Sequence, residues 1–262
     1  MKKEDLINES NFFVERSDYN FIKKEDALSI QVEGMKIFDS PLFAFGCAKD
    51  PYFQLFQNSA IVSEKFLLPQ EWLDGAKTVI SFFLPFTKII NESNKKHKRT
   101  PSQEWLHGRV EGQYFVEKLC IFISERIKEN GFRSVIPSID PRFKVTSFSS
   151  NWSERHAGFV CGLGTFGLSK GLITAKGMSG RIGSVITDQE FPLDKREYSE
   201  VYEYCTMCGA CVKRCPANAI SKEHGKNHKL CSDYIDEIAK LHKSRYGCGK
   251  CQVGVPCQSK IP

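Results

Sequence analysis

Cysteines crowd into the last quarter of this chain. Eight of its eleven cysteines lie between residues 205 and 257. The first four are Cys205, Cys208, Cys211 and Cys215, and Pro216 follows them, so the spacing is C-x2-C-x2-C-x3-C-P. Thiolates are soft ligands, and this spacing lets one turning loop supply several corners of a 4Fe–4S cluster. The segment is therefore predicted to bind iron and sulfur and to transfer electrons.

The same spacing predicts a second group of ligands. In the bacterial-ferredoxin run the fourth cysteine binds a different cluster from the first three. The predicted ligands of cluster one are Cys205, Cys208, Cys211 and Cys257, and those of cluster two are Cys215, Cys231, Cys248 and Cys251. Cys257 comes two residues after Val255, where a repeat of the first block would place it. The alternative for cluster one is three cysteines and an open iron site.

Zinc and disulfides fit this pattern less well than clusters do. Zinc sites more often have two separated C-x2-C pairs, whereas the first block packs four cysteines into eleven residues. The chain begins MKKEDLINES without an apolar signal segment, so we expect a cytoplasmic protein without a disulfide framework. No apolar run approaches the roughly 18 residues that span a bilayer, so no membrane partner is expected.

The charge of the cysteine-rich segment is positive. The whole chain carries a formal charge of +6, and residues 201–262 contain ten Lys/Arg against five Asp/Glu. Clusters held by thiolates are anionic, so we interpret this excess as charge compensation. A second basic run at residues 94–99 falls in a predicted loop. A solvated loop is the preferred interpretation of that run, and a nucleic-acid surface is the alternative.

The first 200 residues predict a mixture of strands and helices. Buried strands are predicted at Leu42–Phe45, Thr78–Leu84 and Ser134–Ile136, and a helix at Gly112–Lys128. Asn151 is predicted to cap a helix that runs to about Val160, with Glu154 in a capping box. Residues 171–174 and 182–186 are predicted to form a hairpin. This mixture favours a layered α+β or α/β domain.

A glycine-rich motif follows that last helix. Cys161–Gly167 contains G-x-G-x-x-G, but a dinucleotide site needs a strand before the motif and a helix after it, and the predicted order is the reverse. We interpret the glycines as allowing a tight turn or the close approach of the backbone to a bulky cofactor. His156 lies beside this turn, either as a hydrogen-bonded structural residue or as a cofactor contact.

Several stretches of the chain resemble the epoxyqueuosine reductase family, which is related to the reductive dehalogenases. They are residues 78–85, 107–114, 135–140 and 154–192, together with the double-cluster segment from Cys205 onward. The resemblance implies an α+β fold with two domains. Residues 1–200 would form a nitroreductase-like α/β sandwich domain that binds cobalamin, and residues 201–262 a ferredoxin-like module with two 4Fe–4S clusters. The chain is similar to a short form, because the family's C-terminal helical repeat domain does not follow Pro262.

The resemblance also implies an oxidoreductase in which the clusters pass electrons to a base-off cobalamin. Asp140 lies nearest the family's catalytic aspartate and is the implied proton donor, and a turn-forming Asp-Pro is the alternative. Ferredoxin or flavodoxin is the implied electron donor, and tRNA is a candidate substrate. The implied cofactor contacts are Tyr114, Asn151, His156, Gly162, Gly164, Thr165, Phe166, Gly167 and Ser169.

Three functions stay open on the sequence alone. The first is a reductase of the epoxyqueuosine type, and the second is a cobamide reductase or trafficking protein without an organic substrate. The third is a corrinoid-free electron-transfer protein whose cavity binds a flavin or another ligand. Leu168-Ser169 replaces the family's lysine-asparagine pair, so the fold carries over better than the substrate does.

Overall fold

The computed structural model describes residues 1–243 and 245–262. Its helices are α1 (Lys3–Arg16), α2 (Tyr52–Leu55), α3 (Pro69–Trp72), α4 (Lys88–Lys96), α5 (Gln103–Glu129), α6 (Glu154–Cys161), α7 (Ala210–Arg214) and α8 (His228–Leu241). Its strands are β1 (Leu42–Cys47), β2 (Thr78–Pro85), β3 (Ser134–Val135), β4 (Val145–Thr146), β5 (Ser149–Ser150), β6 (Gly164–Phe166), β7 (Leu172–Thr174), β8 (Gly180–Thr187), β9 (Ile220–Ser221) and β10 (Gly225–Lys226). Within this described part of the chain, no helix combines the length and apolarity needed to cross a membrane.

An antiparallel sheet in the order β1-β2-β8-β3 forms the centre of the molecule. All eight residues of β2 are buried, because both faces of the sheet are covered. Ile80 and Phe82 pack on one face with residues of α1 and α5. Val79 and Phe83 pack on the opposite face with α6 and Trp152. The result is a mixed helix–sheet fold with two hydrophobic cores, as expected for a strand whose alternate side chains both meet protein.

The strands predicted at Leu42–Phe45 and Thr78–Leu84 are confirmed as β1 and β2. The predicted helix is also present, but it begins at Gln103 rather than at Gly112. Ser102 caps it, since its hydroxyl accepts a hydrogen bond from the backbone N–H of Trp105 at 3.2 Å. The extra turns bury Trp105 and Leu106, but His107 and Gly108 beside them interrupt the apolar period that predicts a core helix.

The predicted N-cap of α6 is wrong. Ser153, not Asn151, precedes the helix, and no side chain caps it. Asn151 is buried and instead ties down the preceding loop. Its Oδ1 accepts from the backbone N–H of Lys144 at 2.9 Å, and its Nδ2 donates to the carbonyl of Arg142 at 2.8 Å. Glu154 is then free of a capping role and turns toward the sheet.

The predicted hairpin is also wrong in its pairing. β7 pairs with β6, whereas β8 pairs with β2 and β3. Gly164 explains the close pairing of β6 with β7, because a Cβ atom there would lie 1.9 Å from the carbonyl oxygen of Ile173. The predicted order of helix before strand around the glycine motif is confirmed, with Gly162 in a left-handed conformation (φ 103°) at the end of α6.

Residues after 200 pack against the first part of the chain through a small apolar cluster. Leu168, Ile173 and Met178 contact Ile220 and Val255 there. Backbone bonds reinforce the contact: the N–H of Met178 donates to the carbonyl of Cys257 at 3.0 Å, and that of Ser179 to Gln258 at 3.1 Å. The division into domains at residue 200 stays a prediction.

Candidate functional site

Four of the predicted ligands line one small cavity, which we call the first cysteine cavity. They are Cys205, Cys208, Cys211 and Cys257, and the free volume between them is about 20 Å³. Cys257 reaches this cavity because its carbonyl is held by the backbone of Met178. The structure thus brings the late cysteine to the other three despite its irregular spacing.

The other four predicted ligands line a larger cavity, the second cysteine cavity. They are Cys215, Cys231, Cys248 and Cys251, around about 370 Å³. Cys215 directly follows α7, and Cys231 lies in the first turn of α8. The grouping follows the crossing of the ferredoxin run, in which the fourth cysteine of the first block joins the later group.

Contacts with α4 and α5 position the Cys248–Cys251 loop. Gly249 has φ +65°, and a Cβ atom on it would lie 1.8 Å from the ring of Trp105, so only glycine allows this approach. Lys250 is fully buried, and its ammonium donates to the carbonyl of Asn94 at 2.8 Å and to its Oδ1 at 2.6 Å. The Asn94 amide donates in turn to the carbonyl of Cys248 at 3.0 Å.

The donor sets of both cavities fit iron–sulfur clusters. Burial raises the pKa of Cys248 and of Cys257 to about 12, and that of Cys211 to about 11. Such thiols ionise readily only when a bound metal centre supplies positive charge. Among the described residues, no three His, Cys, Asp or Glu side chains are gathered tightly enough for a single metal ion. A cubane takes its thiolates at separate iron corners.

A third cavity of about 360 Å³, the central cavity, lies between the sheet and the second cysteine cavity. Phe83 and Ile182 of the sheet, Gln113 and Val116 of α5, and Glu154 of α6 border it. It shares a wall with the second cysteine cavity. The residues common to both linings are Arg155, Gly180, Arg181 and Gln252.

Glu154 is the carboxyl group of the central cavity. The Ser184 hydroxyl donates to its Oε2 at 2.6 Å, and the indole N–H of Trp152 donates to the Ser184 hydroxyl at 3.0 Å. Its Oε1 is buried without a hydrogen-bond partner in the described structure. Burial raises the pKa of Glu154 to about 7, although the bonds from Ser184 and Trp152 and the charge of Arg181 oppose the shift. This carboxyl can therefore carry a proton near neutral pH.

Asp140, the implied proton donor, does not line the central cavity. Its two carboxylate oxygens accept from Nε and Nη2 of Arg142, both at 2.9 Å. Hydrogen bonds from Arg142 outweigh desolvation and lower the pKa of Asp140. In this conformation Asp140 is therefore a paired carboxylate, and its role as a proton donor stays a prediction. The same guanidinium also donates to the carbonyls of Glu71 and Trp72, which fixes the loop.

The implied cofactor contacts are divided among several places. Gly167 and Ser169 line the first cysteine cavity. His156 and Phe166 line a lateral cavity of about 400 Å³ beside α6, together with Tyr202. Burial lowers the pKa of His156 to about 3, and its Nδ1 lies 2.7 Å from the Ser153 hydroxyl, so the imidazole stays neutral.

The remaining implied contacts make structural interactions and do not line any of the four cavities. Tyr114 is half exposed on α5 and packs edge-on against Tyr19. The Thr165 hydroxyl accepts from the backbone N–H of Tyr204 at 2.9 Å. Gly162 and Gly164 shape the turn and the hairpin, and Asn151 holds the loop before α6, as described above. These five residues border none of the four cavities.

Sequence reasoning missed the charged residues around the cavities. Arg109 and Arg181 border the second cysteine cavity, Arg155 borders three of the cavities, and Glu154 was interpreted only as a cap. A weak signal was present. Arg181 is the one Asp, Glu, Lys or Arg residue of β8, and Glu154-Arg155 are the only two in α6.

Comparison with known proteins agrees with this arrangement. A family model described as "4Fe-4S binding domain" matches residues 199–221. An epoxyqueuosine reductase of Cellulophaga algicola is 28% identical over 203 residues, which cover 72% of this chain and 60% of that protein. A tetrachloroethene reductive dehalogenase of Desulfitobacterium hafniense is 37% identical over 109 residues, 38% of this chain and 19% of that protein.

The fold has solved counterparts. An epoxyqueuosine reductase in complex with an epoxyqueuosine-modified tRNA-Tyr stem loop superposes with a TM-score of 0.58 at 14% identity, over 98% of this chain and 65% of that one. This chain therefore spans about 60% of the length of the epoxyqueuosine reductase of Cellulophaga algicola. The nitroreductase-like description of the first domain stays a prediction. The chain is thus similar in sequence to an epoxyqueuosine reductase and, over a shorter stretch, to a reductive dehalogenase, its fold resembles that of a solved epoxyqueuosine reductase, and it carries a 4Fe–4S binding motif.

Proposed function

We propose that this protein is an iron–sulfur reductase that passes electrons from two 4Fe–4S clusters to a corrinoid in the central cavity. The observation that carries the proposal is the wall of Arg155, Gly180, Arg181 and Gln252, which borders both the second cysteine cavity and the central cavity. A ligand in the central cavity would lie across a single layer of residues from the thiols. The resemblance to epoxyqueuosine reductases supports a corrinoid as that ligand.

Each group of residues has a proposed role. Cys205, Cys208, Cys211 and Cys257 hold one cluster, and Cys215, Cys231, Cys248 and Cys251 hold the other. When bound, the clusters accept and donate single electrons, and a corrinoid supplies a strongly reducing cobalt centre. Phe83, Val116 and Ile182 form an apolar floor against which a large ligand would pack.

Glu154 is the proposed proton source. It borders the cavity, and its pKa of about 7 lets it hold a proton that a reduction can consume. The Trp152–Ser184 pair orients one oxygen, which leaves Oε1 to transfer the proton. Asp140 keeps its implied role only if its ion pair with Arg142 opens, because the paired carboxylate stays ionised.

The partners of the reaction are also proposals. Cys208 and Met207 are exposed, so a small donor protein such as a ferredoxin or flavodoxin would approach the first cysteine cavity. A tRNA stem loop is the proposed substrate, since relatives are named for epoxyqueuosine and one was solved with such a stem loop. Binding of that stem loop, measured at rising salt, tests this part, because phosphate contacts weaken steeply as salt increases.

Corrinoid binding to the central cavity can be tested by filling the cavity. Ser138 borders the central cavity, and Ser149 borders the lateral cavity. In the cluster-loaded protein under anaerobic conditions, we expect Ser138→Phe to weaken cob(II)alamin binding at least tenfold. Ser149→Phe should leave the affinity within about twofold. Equilibrium dialysis followed by absorption spectroscopy measures both.

The reverse order of the two variants would move the ligand to the lateral cavity and contradict the proposal. Absence of corrinoid binding by the unmodified protein would contradict it more broadly. A corrinoid-free electron-transfer protein would then be the function to test, with flavin as the next ligand.

A further inference from the structure

Cations surround one of the two cysteine cavities. Arg109, Arg155, Arg181 and Lys226 all line the second cysteine cavity. Buried Lys250 lies inside the Cys248–Cys251 loop that forms part of the same cavity. In the described part of the chain, none of these five side chains forms an ion pair with Asp or Glu.

The partners of these guanidinium groups are neutral. Arg155 donates to the carbonyl of Lys170 at 3.0 Å, and Arg109 stacks over the Tyr246 ring at 4.4 Å. Arg181 bonds to the side-chain oxygen of Gln113, and its Nε is buried without a partner among the described residues. Arg109 and Arg181 are half-buried, Arg155 is exposed at the cavity, and the partly desolvated charges are costly unless an anion is bound beside them. Glu154 is the acid whose charge acts on Arg181, and burial raises its pKa to about 7.

The first cysteine cavity is different. Apart from its cysteines it is lined by glycine, alanine, proline, serine, threonine and aliphatic or methionine side chains, so it has no charged lining among the described residues. The thiols of the two cavities are otherwise alike in type and number. The linings of the two cavities therefore differ in this set of cations, whereas the first cavity has only the exposed Lys222 beside Gly209 at its edge.

From this asymmetry we infer that Arg109, Arg155 and Arg181 raise the reduction potential of the cluster in the second cysteine cavity above that of the first. The inference rests on the proposed function. Reduction adds one electron and hence one negative charge to a cluster that is already anionic. Nearby fixed cations stabilise that added charge, whereas an uncharged lining does not.

This difference in reduction potential determines which cluster holds an added electron. An electron supplied by a low-potential donor, such as dithionite in the test tube, leaves that donor oxidised and reduces one cluster. At equilibrium it occupies the second cluster, which lies against the central cavity, rather than the first. The arginines would thus hold the electron beside the ligand that consumes it.

Arg109→Gln is the sharpest test, because Arg109 borders the second cysteine cavity but not the central cavity or Glu154. The cluster-loaded protein is titrated with dithionite against redox mediators, and the reduced clusters are followed by EPR. The Cys215→Ala protein identifies the signal of the first cluster. Arg109→Lys keeps the charge, and Arg126→Gln removes a half-buried cation that pairs with Glu129 on the same helix, outside both cysteine cavities, as a control.

We expect the second cluster to be the more easily reduced in the native protein. Arg109→Gln should lower the ratio of reduced to oxidised second cluster at least tenfold at a fixed potential. For a one-electron couple, a tenfold change corresponds to a fall of 59 mV in the reduction potential. The first cluster should not shift, and Arg109→Lys should restore most of the effect. Arg181→Gln should act in the same direction, and it provides the test if Arg109→Gln does not fold.

Equal potentials for the two native clusters would overturn the inference. So would an Arg109→Gln shift that is absent or that is the same at both clusters. Iron analysis before the titration separates this outcome from a failure of the proposed function, because a protein without two clusters lacks the iron at the outset.

Discussion

Replacing Cys215 by alanine should remove the cluster of the second cysteine cavity and leave the cluster of the first. Cys215 belongs by sequence to the block of Cys205, Cys208 and Cys211, yet its side chain borders the cavity of Cys231, Cys248 and Cys251. The iron content per chain should fall to about half that of the native protein. The absorption of the reconstituted protein should fall in proportion.

A matched control uses a cysteine outside both cavities. Cys47 is half-buried at the end of β1, so Cys47→Ala should keep the full iron content. Cys231→Ala should repeat the effect of Cys215→Ala, which guards against misfolding of one variant, because cluster binding and folding of the segment are coupled. Selective loss of the first cluster in either variant would contradict the assignment of ligands.

Replacing Glu154 by glutamine should remove a proton that the folded protein binds near neutral pH. The pKa of Glu154 is raised from 4.5 to about 7, chiefly by burial. Between these values the folded protein holds a proton that the unfolded chain has lost. Stability from this group is therefore complete below pH 4.5 and is lost as pH rises through 7. The total loss of unfolding free energy from this group is at most about 3 kcal/mol, and screening by water in the cavity reduces it.

The measurement compares the two proteins across that pH range. As the pH rises from 5.5 to 8, the thermal midpoint of the native protein should fall more than that of Glu154→Gln. The reason is that only the native protein loses the proton held by the raised pKa of Glu154. Infrared difference spectra should show a protonated carboxyl at pH 6 that disappears at pH 8.5, and Glu154→Gln should lack this band.

The surroundings of Glu154 bear on this expectation. Arg155 follows it on α6, Arg181 faces it from β8, and the thiol of Cys120 faces it from α5. Burial raises the pKa of that thiol well above its ordinary value, so the thiol does not titrate in this range. As a control, Glu15→Gln should leave the infrared band unchanged, since Glu15 is exposed and its bond with Lys36 lowers its pKa. A native band that does not change with pH would show that Glu154 is not the proton carrier.

The cysteine cavities were predictable because the spacing of ligands around a cluster is a local property of the chain. The four-cysteine groups inferred from spacing line two separate cavities, including the late Cys257. The strands β1 and β2 were predictable for a similar reason, since a run of apolar, β-favouring residues between turns is a local signal.

The central cavity was not predictable, because tertiary contacts create it. Arg109, Arg155 and Arg181 are typical of a solvated surface in sequence, and only the packing of α5, α6 and β8 turns them toward the second cysteine cavity. The wrong pairing predicted for residues 171–174 and 182–186 has the same cause. β8 pairs with β2, about a hundred residues earlier, and no local pattern specifies such a partner.

We propose that a corrinoid in the central cavity lies next to the second cluster. The most direct measurement is an anaerobic EPR titration of the cluster-loaded protein with cob(II)alamin, first with oxidised clusters and then with dithionite added only until cluster signals appear, so that the cobalt stays paramagnetic cob(II). We expect the corrinoid signal to change from five-coordinate to four-coordinate, and only the second cluster's signal to broaden through magnetic interaction with cobalt. The Cys215→Ala protein should lose that broadening. An unchanged corrinoid signal, or equal broadening of both clusters, would contradict the account.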